Sequence, residues 1–255
     1  MKKNSPTSCG TPSTRPNKEV GSDTAAPNSR DRLTQLKSAL KKTGLVILAA
    51  FHTVPDENIP LPGAKGSSAT IVLAGNGGGS MWQYFVSSRP DGVHPLDKWS
   101  TEIFQTLATR FGAHAVLPHE GPPYFPFQRW ALNSGQAHTS PIGILIHPEY
   151  GLWHSYRGAL IFPQRLILPP ARETASPCSS CEGRPCLSNC PVEAFRPEFY
   201  NLKRCVAHIH EPEGRDCRMT GCRARRACPV GREHVYAPAQ AEFHMAAFME
   251  KHSKN

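Results

Sequence analysis

The stretch CSSCEGRPCLSNCP, residues 178–191, is followed by KRCVAHIH at 203–210 and CRMTGCRARRACPVG at 217–231. Eight of the nine cysteines lie inside it, at Cys178, Cys181, Cys186, Cys190, Cys205, Cys217, Cys222 and Cys228. The first four follow a C-x2-C-x4-C-x3-C-P spacing, two residues longer in its middle gap than the bacterial ferredoxin run C-x2-C-x2-C-x3-C-P. Soft thiolates crowded at this spacing suit iron-sulfur chemistry, and each 4Fe-4S cluster takes four of them. Eight thiols therefore point to two 4Fe-4S clusters. In two-cluster ferredoxins the cysteine before the proline ligates the other cluster. That rule puts Cys178, Cys181, Cys186 and Cys228 on one cluster, and Cys190, Cys205, Cys217 and Cys222 on the second. In the second run the regular spacing asks for a cysteine near position 225, where Arg225 stands, and Cys217 takes its place. A disulfide framework, structural zinc at both sites and a single cluster are the competing readings of the same cysteines.

Outward from this stretch, the composition divides the chain. Residues 1–30 are rich in Ser, Thr, Pro, Asn and Lys, carry Cys9, and are expected to form a disordered tail. Residues 31–170 alternate apolar runs with helical periodicity. A helix is expected at 31–43 from Leu33, Leu36 and Leu40, with Asp31 as N-cap and Gly44 past its end. Strands are expected at LVILAAF (45–51), ATIVLAG (69–75), AVL (115–117), IGILI (142–146), ALIF (159–162) and RLIL (165–168), and a helix at 96–111 from Trp99, Ile103 and Leu107. These elements predict an α/β (α+β) domain with helices covering a central sheet, joined through the proline-bounded PPARETASP (169–177) to a C-terminal ferredoxin-like 4Fe-4S module at 171–235. Short helices are expected there around 186–195 and 202–210, and a C-terminal helix from Pro238 within residues 236–255.

Other stretches carry weaker signals. GNGGGS (75–80) follows a strand as a phosphate loop would, yet it lacks the P-loop lysine and the third dinucleotide glycine, so a plain strand-to-helix turn is an equal reading. Tyr124, Phe125, Phe127, Trp130, Tyr150, Trp153 and Tyr156 gather beside His147, His154, Arg129 and Arg157. They suit a flat macrocyclic ligand, or the packing of one domain on the other. His147, Glu149 and His154 match no common metal pattern and read as core or surface residues. Catalytic and organic-cofactor-binding side chains stay unassigned.

The net charge of +9 comes partly from the N-terminal tail and partly from Arg204, Arg215, Arg218, Arg223, Arg225, Arg226 and Arg232 around the cysteines. Those arginines would offset cluster charge, dock a redox donor protein, or contact nucleic acid, of which the last is the less favoured partner. The sequence has no run of eighteen apolar residues and no apolar signal core after Met1, so no membrane partner and a cytoplasmic location are expected, with oligomeric state unspecified.

With cysteines and aromatics both in view, the chain resembles the epoxyqueuosine reductase family of cobalamin-dependent iron-sulfur reductases, over roughly residues 100–230. The family's W-I-G-K and N-P-x-x-G-S-W-F segments correspond to SPIGILIHPEYGLW (140–153), where Ile142, Gly143, Pro148, Gly151 and Trp153 match. Its dicluster cysteine run and R-R-C-I-S-Y segment correspond to CSSCEGRPCLSNCPVEAF (178–195) and LKRCVAHI (202–209). The resemblance implies a corrinoid-binding α/β domain to which the clusters pass electrons. It implies Cys178, Cys181, Cys186 and Cys228 on one cluster, and Cys190, Cys205 and Cys222 on the other, with no counterpart of Cys217. Ile144 replaces the family's lysine and Pro141 its tryptophan. HEGPPYFPFQRW (119–130) stands where the proton-donating aspartate is expected, and the helical-repeat extension for tRNA has no counterpart. The chain reads as a divergent, shortened relative and an oxidoreductase candidate of unassigned substrate, these departures arguing against epoxyqueuosine reduction itself.

Overall fold

The computed structural model describes residues 29–53, 70–170, 175–196 and 199–252. The chain runs α1 (Ser29–Lys41), β1 (Val46–His52), β2 (Thr70–Gly77), α2 (Trp82–Ser87), α3 (Pro95–Phe111), β3 (His114–Val116), α4 (Phe127–Asn133), β4 (His138–Thr139), β5 (Leu145–Ile146) and β6 (His154–Phe162). It continues with α5 (Pro185–Ser188), β7 (Phe195–Arg196), β8 (Phe199–Tyr200), α6 (Leu202–His210), α7 (Arg215–Thr220), α8 (Arg223–Arg226) and α9 (Pro238–His252). Cys9 and all but the last two residues of the expected tail lie outside the described residues. Those two, Ser29 and Arg30, already belong to α1.

Strand β2 explains the central sheet. Every residue from Thr70 to Gly77 is buried, because side chains alternate between two covered faces. Val72 and Ala74 join Leu160 and Phe162 of β6 under α1, α2 and α3, in a core with Leu36, Leu40, Phe85, Phe104 and Leu107. Ile71 and Leu73 join Ala159 and Ile161 on the other face, against Phe127, Trp130 and Ala131 of α4. The order is β1-β2-β6-β3, and each pairing is antiparallel. Unbroken apolar runs thus arise here in an antiparallel sheet, since helices cover both sides.

Helix ends obey local chemistry. Pro95 opens α3, its fixed φ suiting a first turn, and Gly112 closes the helix in the left-handed region at φ 61°. Asp31 lies within the first turn of α1 and is therefore not its N-cap, although its carboxylate still suits that end of the helix. Two expected strands are corrected. Of IGILI only Leu145–Ile146 forms a strand, paired with β4 in a separate two-stranded sheet. RLIL joins no strand ladder: the Leu166 N–H donates to Thr70 Oγ1 at 2.9 Å and the Leu166 carbonyl lies 2.9 Å from His52 Nε2. Side chains there satisfy the backbone that a neighbouring strand would otherwise serve.

The cysteine-rich region and α9 pack onto this sheet domain. Phe243 of α9 meets the rings of Trp82 and Phe85, each at 5.4 Å. The loop before β6 approaches the second cysteine run backbone to backbone. Gly151 sits at φ +54°, where an added Cβ would lie 2.0 Å from the Val230 carbonyl oxygen, and Gly231 faces Tyr150 in the same way. Gly151→Ala should therefore destabilise the protein by about 2–4 kcal/mol, through left-handed strain and overpacking together. A fall in the urea unfolding midpoint at unchanged slope would register it.

Candidate metal centres and an adjoining cleft

The eight cysteines separate in space into two groups of four. Cys178, Cys181, Cys186 and Cys228 line a tight cavity of about 20 Å³, walled by Pro141, Ile146, Leu152, Pro185 and Val230. Cys190, Cys205, Cys217 and Cys222 line a larger cavity of about 460 Å³, walled by Ile142, Trp153, Tyr236 and the α9 residues Met245 and Phe248. All eight thiols are free of disulfides. Among the described residues, no three His, Cys, Asp or Glu side chains converge as a single metal ion would require.

The thiols perturb one another within their groups. Burial, then Cys228 and Cys178 as neighbours, pushes the Cys186 thiol up, and burial with Cys228 does the same to Cys178. In the other group burial drives Cys222 to about 11, with Cys217 and Cys205 adding. Burial also raises Cys205, where a hydrogen bond from the Tyr200 hydroxyl works in the opposite direction. The Cys190 sulfur accepts the Ala194 N–H at 3.2 Å. Short helices set these positions: Cys186 lies in α5, Cys205 in α6 and Cys217 in α7, while Cys222 is the N-cap of α8.

Arg225 occupies the place where regular spacing wanted a cysteine, and its role is visible. Its guanidinium lies 4.5 Å from the Trp153 ring centroid and 4.7 Å from that of Tyr236. It also donates to the Leu152 carbonyl from Nε at 3.0 Å and Nη2 at 2.6 Å. A cysteine here would leave three separate chain segments without their common cation. Other arginines of the cluster are likewise engaged. Arg218 donates to the carbonyls of Ile209 and Glu211, and Arg223 and Arg226 pair with Asp216. Arg204, Arg215 and Arg232 are exposed.

An open cleft adjoins the larger cavity. One lobe, about 860 Å³, is lined by Phe125, Phe127, Arg129, Ile144, His154 and Tyr156. The other, about 1340 Å³, is lined by Asp97, Lys98, His119, Tyr124, Arg157 and Lys251 among others, and shares Pro118, Ser155 and Tyr156 with the first. Gly143 and Ile144 line both the first lobe and the Cys190 cavity, so only a thin wall divides them. The aromatic residues divide between two places. Trp153 and Tyr150 pack on Tyr236 and His234 at the joint with the module, whereas Tyr124, Phe125, Phe127 and Tyr156 face the cleft.

The glycine-rich turn resolves as packing. Gly77 lies under the Tyr150 ring and Gly78 against His234, with no room for a Cβ at the first. Asn76 is fully buried and donates to the Tyr236 hydroxyl at 2.7 Å. His147 and His154 are core residues. His147 Nδ1 accepts the Glu149 N–H at 3.1 Å, and His154 Nδ1 lies 3.1 Å from the Gly151 carbonyl. Burial first, then neighbouring His147, lowers His154 to about 4. Glu120 accepts the Leu117 N–H in its own turn at 2.8 Å, and His119 lies 3.8 Å from Asp97 at the cleft rim. Sequence reasoning did not find His208, Tyr236 and His244 as cavity-lining residues. Their only sequence signal is that they flank the cysteines in isolation.

No protein-family model matches the chain, and no curated protein sequence does. Among solved structures, an epoxyqueuosine reductase from Streptococcus thermophilus matches with TM-score 0.51 and 17% identity, covering 82% of this chain and 70% of that one. An epoxyqueuosine reductase from Bacillus subtilis matches with TM-score 0.49 and 14% identity, over 84% of this chain and 71% of that one. A B12-trafficking protein from C. elegans matches with TM-score 0.44 and 14% identity, over 84% of this chain and 92% of that one. The chain is similar in fold to the Streptococcus thermophilus enzyme, a member of the family that its cysteine and aromatic segments resemble. Among the described residues, no helix is long and apolar enough to cross a membrane.

Arg225→Ala should cost about 2–4 kcal/mol in a urea titration, combining lost cation–π contacts with charged hydrogen bonds to Leu152. Acid should also destabilise the fold. Unfolded His154 binds its proton near the ordinary value of 6.5, and the folded residue only near 4. The unfolded state therefore binds more protons between those values, so stability falls as pH drops through that window and is flat above about pH 7. His154 should contribute a loss of about 2–3 kcal/mol by pH 4, and His154→Gln should remove that share while leaving the share of His244, which burial lowers to about 3.

Proposed function

We propose that this protein is an iron-sulfur oxidoreductase whose eight module thiols hold two 4Fe-4S clusters, in the quartets Cys178, Cys181, Cys186, Cys228 and Cys190, Cys205, Cys217, Cys222. The observation that carries this reading is spatial: the quartets paired from ferredoxin spacing each line a cavity of their own. The donor chemistry fits the group. Each site offers four soft, unbridged thiols in largely apolar walls. The larger cavity has room for a cluster, and the smaller, about 20 Å³, would hold one only with its thiols spread further apart. When bound, each cluster supplies one-electron transfer.

The surrounding residues have separable tasks. The prolines and aliphatic residues of the first site exclude water from it, and Ile142, Trp153 and Phe248 do so for the second. Arg225 holds the module against the sheet domain, which keeps Gly143 and Ile144 as the wall between the second cavity and the cleft. Tyr124, Phe125, Phe127 and Tyr156 offer aromatic walls for a broad, flat ligand, for which a corrinoid is our candidate on the strength of the resemblance. Electrons would come from a redox donor protein. The arginines tied up in holding the module make a nucleic-acid surface there the weaker alternative.

Anaerobically purified protein should contain about eight irons per chain, the content of two such clusters, and give reduced-cluster EPR signals with dithionite. Cys181→Ser and Cys217→Ser should each remove about half of the iron and abolish one signal. Protein that takes up no iron or sulfide under reconstitution would refute the cluster reading. A cob(II)alamin spectrum unchanged by excess protein would remove the corrinoid.

A further inference from the structure

Buried polar atoms without partners are rare in folded proteins, and each asks for an explanation. Among the described residues these atoms include Trp153 Nε1, His208 Nε2 and His244 Nε2. All three side chains line the cavity of the Cys190 quartet. They come from the segment leading into β6, from α6 and from α9, so local sequence does not explain their meeting. No residue lining the Cys178 cavity carries such an atom.

Accepting the two-cluster reading above as premise, we propose that the indole N–H of Trp153 and the Nε2–H groups of His208 and His244 donate hydrogen bonds to the sulfurs of the cluster held by the Cys190 quartet. These donors set that cluster at a higher reduction potential than its neighbour in the Cys178 quartet. The physical basis is charge. Adding one electron makes a thiolate-ligated cluster more negative, and donors aimed at its sulfurs stabilise the reduced form more than the oxidised one. The cations act in the same direction, since Arg223 and Arg225 line the second cavity and Arg184 alone lines the first. The cluster nearer the cleft thereby becomes the thermodynamic sink for electrons. Tyr200, whose hydroxyl donates to Cys205, is a further donor on the same side.

The test is an anaerobic redox titration of the reconstituted full-length chain, with dithionite as reductant and EPR as readout, the second cluster's signal being the one lost in Cys217→Ser. In the unaltered chain that signal should titrate at the higher potential. Trp153→Phe, His208→Leu and His244→Leu should each favour oxidation of this cluster roughly tenfold, a shift of ~59 mV for one electron. The first cluster should not move. His244→Gln, which keeps an N–H, should recover most of the shift and so separates hydrogen bonding from packing. Potentials unmoved in iron-replete variants, or a second cluster titrating below the first, would overturn this inference and leave the cluster reading standing. An unaltered chain that assembles no cluster overturns the cluster reading, and this inference with it.

Discussion

The guanidinium of Arg225 is the joint on which the two halves of the molecule depend. It lies against both rings of the touching Trp153–Tyr236 pair and donates twice to the Leu152 carbonyl. Arginine suits the position because its planar head stacks on rings while still presenting a fork of donors, which lysine does not. Tyr236 extends the contact by accepting from Asn76 at the end of β2, and Arg157 Nε donates to Asn76 Oδ1 at 3.4 Å. A polar chain thus runs from the sheet to the cysteine-rich region through buried, partnered groups. Low dielectric strengthens such a chain and penalises the loss of any one member.

Because that joint is tight, the walls around it are thin. Gly151 and Gly231 bring two backbones together without side chains between them. Gly143 and Ile144 serve two spaces at once, the thiol cavity on one side and the aromatic cleft on the other. A ligand placed in the cleft would be separated from the thiols by little protein, which is what the redox reading proposed above requires. The same closeness accounts for the glycine-rich turn, whose small residues let Tyr150 and His234 settle over it. Of the two readings of that turn, its contacts favour the plain packed one.

Much of the fold was legible because several elements are decided locally. Helices α3 and α9 carry apolar residues at helical spacing behind an opening proline, and both appear within a residue or two of the expected bounds. Strands β1 and β2 and the last four residues of β6 announce themselves as apolar runs, since both faces of the sheet are covered, whereas the polar first half of β6 gave no such signal. RLIL failed by the same criterion. Its apolar content matches a strand, but its backbone partners are the side chains of Thr70 and His52, and no pattern of hydrophobicity encodes those. The antiparallel direction of the sheet was equally hidden, because periodicity reports burial and says nothing of chain direction.

For the candidate site, the sequence alone supplied the eight thiols and, through the rule that hands the cysteine before each proline to the other run, a division into quartets; in the structure each quartet lines its own cavity. The sequence also marked the anomaly at position 225. Only the tertiary structure decided what that anomaly is for, and which walls each quartet faces. Trp153, His208 and His244 reach one cavity from three distant segments, and Gly143 divides that cavity from the cleft. Contacts of this kind depend on how completed elements pack, and spacing along the chain carries no record of them.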